Sequence, residues 1–271
     1  MRKIKSIFLI FLIFFELCLF AEAQTLQGKI KHDNKLDSKN KVVNSQTQEP
    51  ISGAKVSIPT LGYSTTTDNQ GEFEFSNQIS GKNILSIEKE GYRPFSLTID
   101  KNMMQNPLKL GLQEAGAGDI TIESSVCHLG DDVYSNTSAN SSEFRGKSVG
   151  AFFSKKFSAN QVKPNEQAIL IIGSVIGLDT KLAKELGQNK IASVYSSPTE
   201  IYFNNHKIGE LKLNGDNQEI LIPPQLLKNS NEITIKTGRN LFQHAYLDLD
   251  DIEIASIRLE IRNSGQTFAK R

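Results

Sequence analysis

From Glu49 to Tyr92 the chain carries the period-two alternation of half-buried β-strands, broken at strand-length intervals by turn residues. Ala54, Val56 and Ile58 alternate with Lys55 and Ser57, and Pro50, which cannot donate to a ladder, stands just before them. Asp68-Asn69-Gln70-Gly71 reads as a turn, because Asx side chains bond their own backbone and glycine tolerates a positive φ. Phe73 and Phe75 then alternate with Glu72 and Glu74, which predicts a hairpin with a buried aromatic face. Such a stretch constrains the chain to small packed sheets.

The order of these pieces resembles the carboxypeptidase regulatory-like domain, a transthyretin-like sandwich. The likeness rests on Gly28-Lys29-Ile30, on Glu49-Pro50-Ile51-Ser52-Gly53-Ala54-Lys55-Val56, and on Thr67-Asp68-x-x-Gly71-x-Phe73-x-Phe75. Ile84-Leu85-Ser86-Ile87 and Gly91-Tyr92 complete it. It covers residues 24–113 and implies an accessory module without local catalysis. The polar segment 32–48 reads as a long loop between the first two strands.

At 271 residues there is room for two domains after an export signal. Arg2, Lys3 and Lys5 precede the apolar run Ile7–Phe15, and Ala21-Glu22-Ala23 offers small residues before Gln24, so residues 1–23 read as a secretory signal peptide. A retained membrane anchor is the competing reading, but a span needs about 20 apolar residues and Glu16 interrupts this run. Cleavage leaves 28 basic and 28 acidic residues, so composition suggests neither nucleic acid nor an anionic membrane as partner. It also leaves Cys127 as the one cysteine, so stability must come from packed sheets rather than an internal disulfide. The expected location is secreted, periplasmic or at the cell surface, with no stable membrane span after cleavage.

Residues 114–119, Glu-Ala-Gly-Ala-Gly-Asp, read as a linker. Beyond it, residues 120–262 hold eight short strand signals: Ile120–Ile122, Ala151–Phe153, Ala168–Ile172, Thr199–Asn204, Glu210–Leu213, Glu219–Ile222, Glu232–Lys236 and Asp251–Arg262. Thr180–Leu186 alone has helical spacing, and 263–271 reads as a tail. The fold class is therefore all-β, two β-sandwich domains, the second a jelly roll. The segments His128–Tyr134, Glu200–Gly209 with its Asn-Asn turn, Ile222–Leu227, Asn231–Ile235 and Asp250–Ile254 resemble the galactose-binding-like jelly roll of carbohydrate-binding modules.

No catalytic motif stands out. The four histidines, His32, His128, His206 and His244, lack the His-x-x-Glu of zinc carboxypeptidases, and no Gly-x-Ser-x-Gly elbow, phosphate loop or Cys-x-x-Cys pair occurs. No enzyme activity is expected. In the family resembled, the first and last strands lie side by side, which implies that Asp131 and Asp132 approach Asp248, Asp250 and Asp251. Converging carboxylates repel unless protonated or bridged by a cation, and hard oxygen ligands suit a structural Ca²⁺. Asp131, Asp132, Asp250 and Asp251 are the candidate ligands, and an acidic loop fanning into solvent is the alternative. For ligand binding, Tyr134, Arg239, Phe242, His244 and Tyr246 fall at predicted strand ends, although ordinary packing explains aromatics equally and the chain has no Trp. Asn136-Thr137-Ser138 and Asn140-Ser141-Ser142 match the glycosylation sequon by pattern alone. The expected function is non-catalytic binding of a glycan through the second domain, or of an extracellular protein through the sandwich modules.

Overall fold

The computed structural model describes residues 39–75, 79, 81–133, 144, 146–177, 197–239 and 249–264. The segment 1–23 expected to be a signal, the strand expected at Gly28–Ile30, the sequon matches, the helical spacing at 180–186 and the residues beyond 264 lie outside the described residues. Among those described, no helix is long and apolar enough to cross a membrane.

The first sandwich comprises β1 (Asn40–Asn44), β2 (Lys55–Ile58), β3 (Tyr63–Thr66), β4 (Glu72–Phe73), β5 (Asn83–Glu88), β6 (Phe95–Ile99) and β7 (Lys109–Leu112). One sheet has the order β4-β1-β7 and the other β3-β2-β5-β6. Between them pack Val42, Ala54, Val56, Ile58, Phe73, Leu85, Ile87, Ile99 and Leu112. Burying each Ile, Leu or Phe contributes about 1.5–3 kcal/mol. The alternation of Ala54, Val56 and Ile58 thus faces a core, as the sequence predicts.

Two details differ from the sequence reading. Residues 40–44, within the segment expected to be a loop, form β1, the middle strand of its sheet. Val42 pairs with Leu110 in a parallel ladder and is fully buried. Only two valines mark this strand, and its partners come from residues far along the chain. The turn at 68–71 forms as expected, with Asp68 Oδ1 accepting from the Gln70 and Glu72 amides at 2.8 Å each. It does not close a hairpin, however, because β4 pairs with β1 in the other sheet and not with β3. Gly71 (φ 70°) lets the chain make this corner: a Cβ there would lie 2.5 Å from the Val42 carbonyl oxygen.

The second sandwich comprises β8 (Ile120–Leu129), β9 (Phe152–Ser158), β10 (Glu166–Gly177), β11 (Glu200–Phe203), β12 (His206–Glu210), β13 (Gly215–Ile222), β14 (Ser230–Lys236) and β15 (Ile252–Asn263). Its antiparallel sheets run β13-β10-β15-β8 and β12-β11-β14-β9. Leu129, Leu170, Ile172, Ile201, Phe203, Ile233, Ile235, Ile252, Ile254 and Leu259 fill the space between them. Asn204 and Asn205 both adopt positive φ (48° and 64°) in the two-residue turn joining β11 to β12, the conformation that matches strand twist and favours Asn.

The two sandwiches share a packed junction. β10 and most of β15 are buried on both faces, because β5 and β6 lie across the side that turns away from the second core. Ile84 packs there with Ile176, Ala255 and Phe144. Gly173 permits the close approach, since a Cβ would lie 2.4 Å from Ser96 Oγ and 2.6 Å from Ser256 Cβ. Asp216 Oδ1 accepts from the Ser174 hydroxyl at 2.6 Å and from the amide and hydroxyl of Thr98 at 3.0 Å. The connector is held as well. Asp119 pairs with Arg93 at 2.6 Å and accepts from the Ile261 amide, while Arg93, Arg258 and Arg262 surround the buried Glu260. Burial alone would raise the Glu260 pKa, but the Arg258 charge, the Arg262 hydrogen bond and the Arg93 charge outweigh it and hold the carboxyl below its ordinary value.

Candidate functional site

β8 and β15 pair antiparallel, with Leu129 opposite Ile252 and His128 opposite Glu253. The chain leaving β8 therefore meets the chain entering β15 at one end of the second sandwich. The segment that returns to β9 joins them there through Val149 N donating to His128 O and Gly130 N to Gly150 O. Residues 237–239 close the group: Asp250 N donates to Gly238 O, and Arg239 bridges to Leu249.

His128 occupies the centre, with its side chain 3% exposed. Its Nδ1 lies 2.7 Å from the Gly146 carbonyl, its Nε2 lies 2.8 Å from Asp251 Oδ1, and the Phe144 ring packs against it at 4.9 Å between centroids. Burial of the ring pushes its pKa down, but the Asp251 hydrogen bond, the Gly146 carbonyl and the charges of Asp251 and Glu253 together carry it above the ordinary value. The Asp132 amide also donates to Asp251 Oδ1, at 3.1 Å. Asp251 Oδ2 is buried and meets no hydrogen-bond donor among the described residues. Gly130 (φ 143°) makes room for this carboxylate, since a Cβ there would fall 2.3 Å from Asp251 Oδ1.

The four candidate metal-ligating aspartates divide. Asp132 and Asp251 come together with His128, with one possible ligand atom from each lying within 4.8 Å of the others. Asp131 accepts instead from the Val133 amide at 3.0 Å and the Leu249 amide at 2.9 Å, where it ties the two loops to each other. Asp250, just before β15, lies toward Gly238, whereas Asp251 lies toward Gly130. An oxygen-only cage of all four is not assembled. His128 is not among the ligands expected from the sequence, because its closeness to Asp251 depends on pairing across 123 residues. The spacing of His128 and Asp132, four apart, was its one visible sign.

Of the candidate ligand-binding residues, Arg239 is described: its side chain is exposed at this end, and its backbone is fixed by Ser197 and Leu249. Tyr134, Phe242, His244 and Tyr246 lie outside the described residues, as does Asp248. The same end carries three exposed apolar side chains, Val133 (62%), Val149 (67%) and Phe152 (57%). Leu221, also exposed, stands toward the far end of the β10–β13 pair.

No curated protein matches the chain. Residues 39–118, which span the seven described strands of the first sandwich and most of the connector, match the family of the CarboxypepD_reg-like domain.

Proposed function

We propose that the protein is an exported, non-catalytic binding protein in which the first sandwich is a scaffold and the loop end of the second sandwich engages a protein partner. The observation that carries this reading is the exposure of Val133, Val149 and Phe152 on segments at the end where four chain segments converge. Singly exposed apolar residues are ordinary, but several exposed at one end of a domain favour an interaction surface there. The junction across β10 and β15 supports it too, since a rigid base presents loops in a fixed arrangement. Export rests on the basic and apolar pattern of residues 1–23.

A glycan ligand is the second reading, favoured by the exposed Arg239 and by the aromatic residues Phe242 and Tyr246 that follow it in sequence. Two measurements separate them. A photo-crosslinking residue at position 152 is expected to capture a protein in the producing cells, while the same residue at position 221 captures none. A glycan array is expected to stay at background. Array binding that Arg239→Ala abolishes, with no adduct at position 152, would establish the glycan reading instead.

A further inference from the structure

His128, Asp132 and Asp251 pose a problem of unshared lone pairs. The Gly146 carbonyl can only accept, so the Nδ1 that lies 2.7 Å from it carries the hydrogen. In the neutral ring this leaves Nε2 as a lone pair, aimed at 2.8 Å toward Asp251 Oδ1, an oxygen that also only accepts. Two such atoms at this distance need a positive charge between or beside them, either a second ring proton on Nε2 or a bound cation. Asp251 Oδ2, buried without a donor among the described residues, adds a second reason, because a desolvated carboxylate is costly to leave unmet.

We infer that His128, Asp132 and Asp251 form a binding site for a divalent first-row transition metal, of which Zn²⁺ is the representative. The imidazole decides the class. Calcium takes six to eight oxygens, whereas one imidazole nitrogen beside carboxylates suits Zn²⁺ and its neighbours. The bond from Nδ1 to a backbone carbonyl is the outer contact that fixes the tautomer and orientation of a metal-binding histidine. Asp132 Oδ1 lies 4.0 Å from Nε2, and its side chain is 44% exposed. It supplies both the route in from solvent and the ligand that closes by side-chain rotation. Solvent water would complete the coordination, since three protein ligands leave a position open. This inference does not depend on the partner reading above.

The test uses the full chain, stripped with a chelator, and titrates Zn²⁺, Mn²⁺ and Ca²⁺ separately by calorimetry with melting temperature read in parallel. Zn²⁺ is expected to bind one equivalent and raise the melting temperature, with Ca²⁺ at least tenfold weaker. Asp132→Asn, which keeps an oxygen able to accept from the Ser148 amide and tolerates the positive φ of this position, is expected to weaken Zn²⁺ at least tenfold, and His128→Ala to abolish binding. Should His128→Ala fail to fold, Co²⁺ loaded into the unmodified chain supplies the second measurement, through an absorption spectrum that Asp132→Asn alters. Absence of metal binding would overturn the inference and leave a proton between His128 and Asp251. So would binding of Ca²⁺ alone, or Zn²⁺ binding that Asp132→Asn leaves unchanged.

Discussion

Asp216, on the edge strand of the second sandwich, accepts hydrogen bonds from both the amide and the hydroxyl of Thr98 in the first, at 3.0 Å each. With Ser174 it forms a three-donor clamp across the junction. Replacing Asp216 by Ala is expected to destabilise the protein by about 2 kcal/mol, the scale of hydrogen bonds to a charged group. Asp216→Asn, which retains an acceptor oxygen, is expected to lose less. Urea denaturation followed by circular dichroism checks this. A midpoint unchanged in Asp216→Ala would show that the clamp contributes nothing to stability.

Cys127 faces the second core, and burial, assisted by the Glu123 charge, pushes its thiol pKa up to about 11. At pH 8 roughly one thiol in a thousand would then be ionised, against about a quarter for an ordinary cysteine. A thiol reagent is expected to leave Cys127 of the folded protein unlabelled over hours and to label it promptly in denaturant, with the labelled position read by peptide mass spectrometry. Native labelling at the speed of a free thiol would contradict the burial of this side chain.

His128 gives the fold a pH dependence whose sign follows from its raised pKa. The stabilisation is fully present below the unfolded value of about 6.5 and is lost as pH rises through the higher folded value. Asp251, Asp132 and Glu253 are the carboxylates facing the ring. In chelator-treated protein, the stability difference between the unmodified chain and His128→Asn is therefore expected to shrink between pH 6 and pH 9. Direct NMR titration of the ring tests the same point. A midpoint below 6.5 would reverse the sign and refute the expectation.

Much of the strand content was legible because alternation is a local property. Ala54, Val56 and Ile58 in the first sandwich, the Asn204-Asn205 turn and seven of the eight strand signals of residues 120–262 all rest on neighbours within a few positions, whereas the signal at Glu210–Leu213 falls where β12 has already ended at Glu210. Even the two-faced burial of β10 had a trace in the unbroken apolar run Ala168–Ile172, although such a run says only that both faces are covered and not by what. β1 was hidden, because two valines among polar residues form a strand only when β4 and β7 supply partners from elsewhere in the chain. Asp68 marks a turn that joins two sheets and closes no hairpin, since local chemistry fixes the bend but not which sheet receives the next strand.

The sequence by itself determined an all-β chain with its turns and alternating faces. It also placed acids at both the end of β8 and the start of β15. Tertiary structure decided which of them meet. Antiparallel pairing of β8 with β15 set His128 against Asp251, and the chain entering β15 placed Asp250 toward Gly238 instead. It also decided that two sandwiches would share a junction, through the space that Gly173 leaves for Ser96. The physical reason is the same in each case: side-chain period and turn chemistry act over a few residues. Partners across a sheet or between sheets are selected by packing over the whole chain.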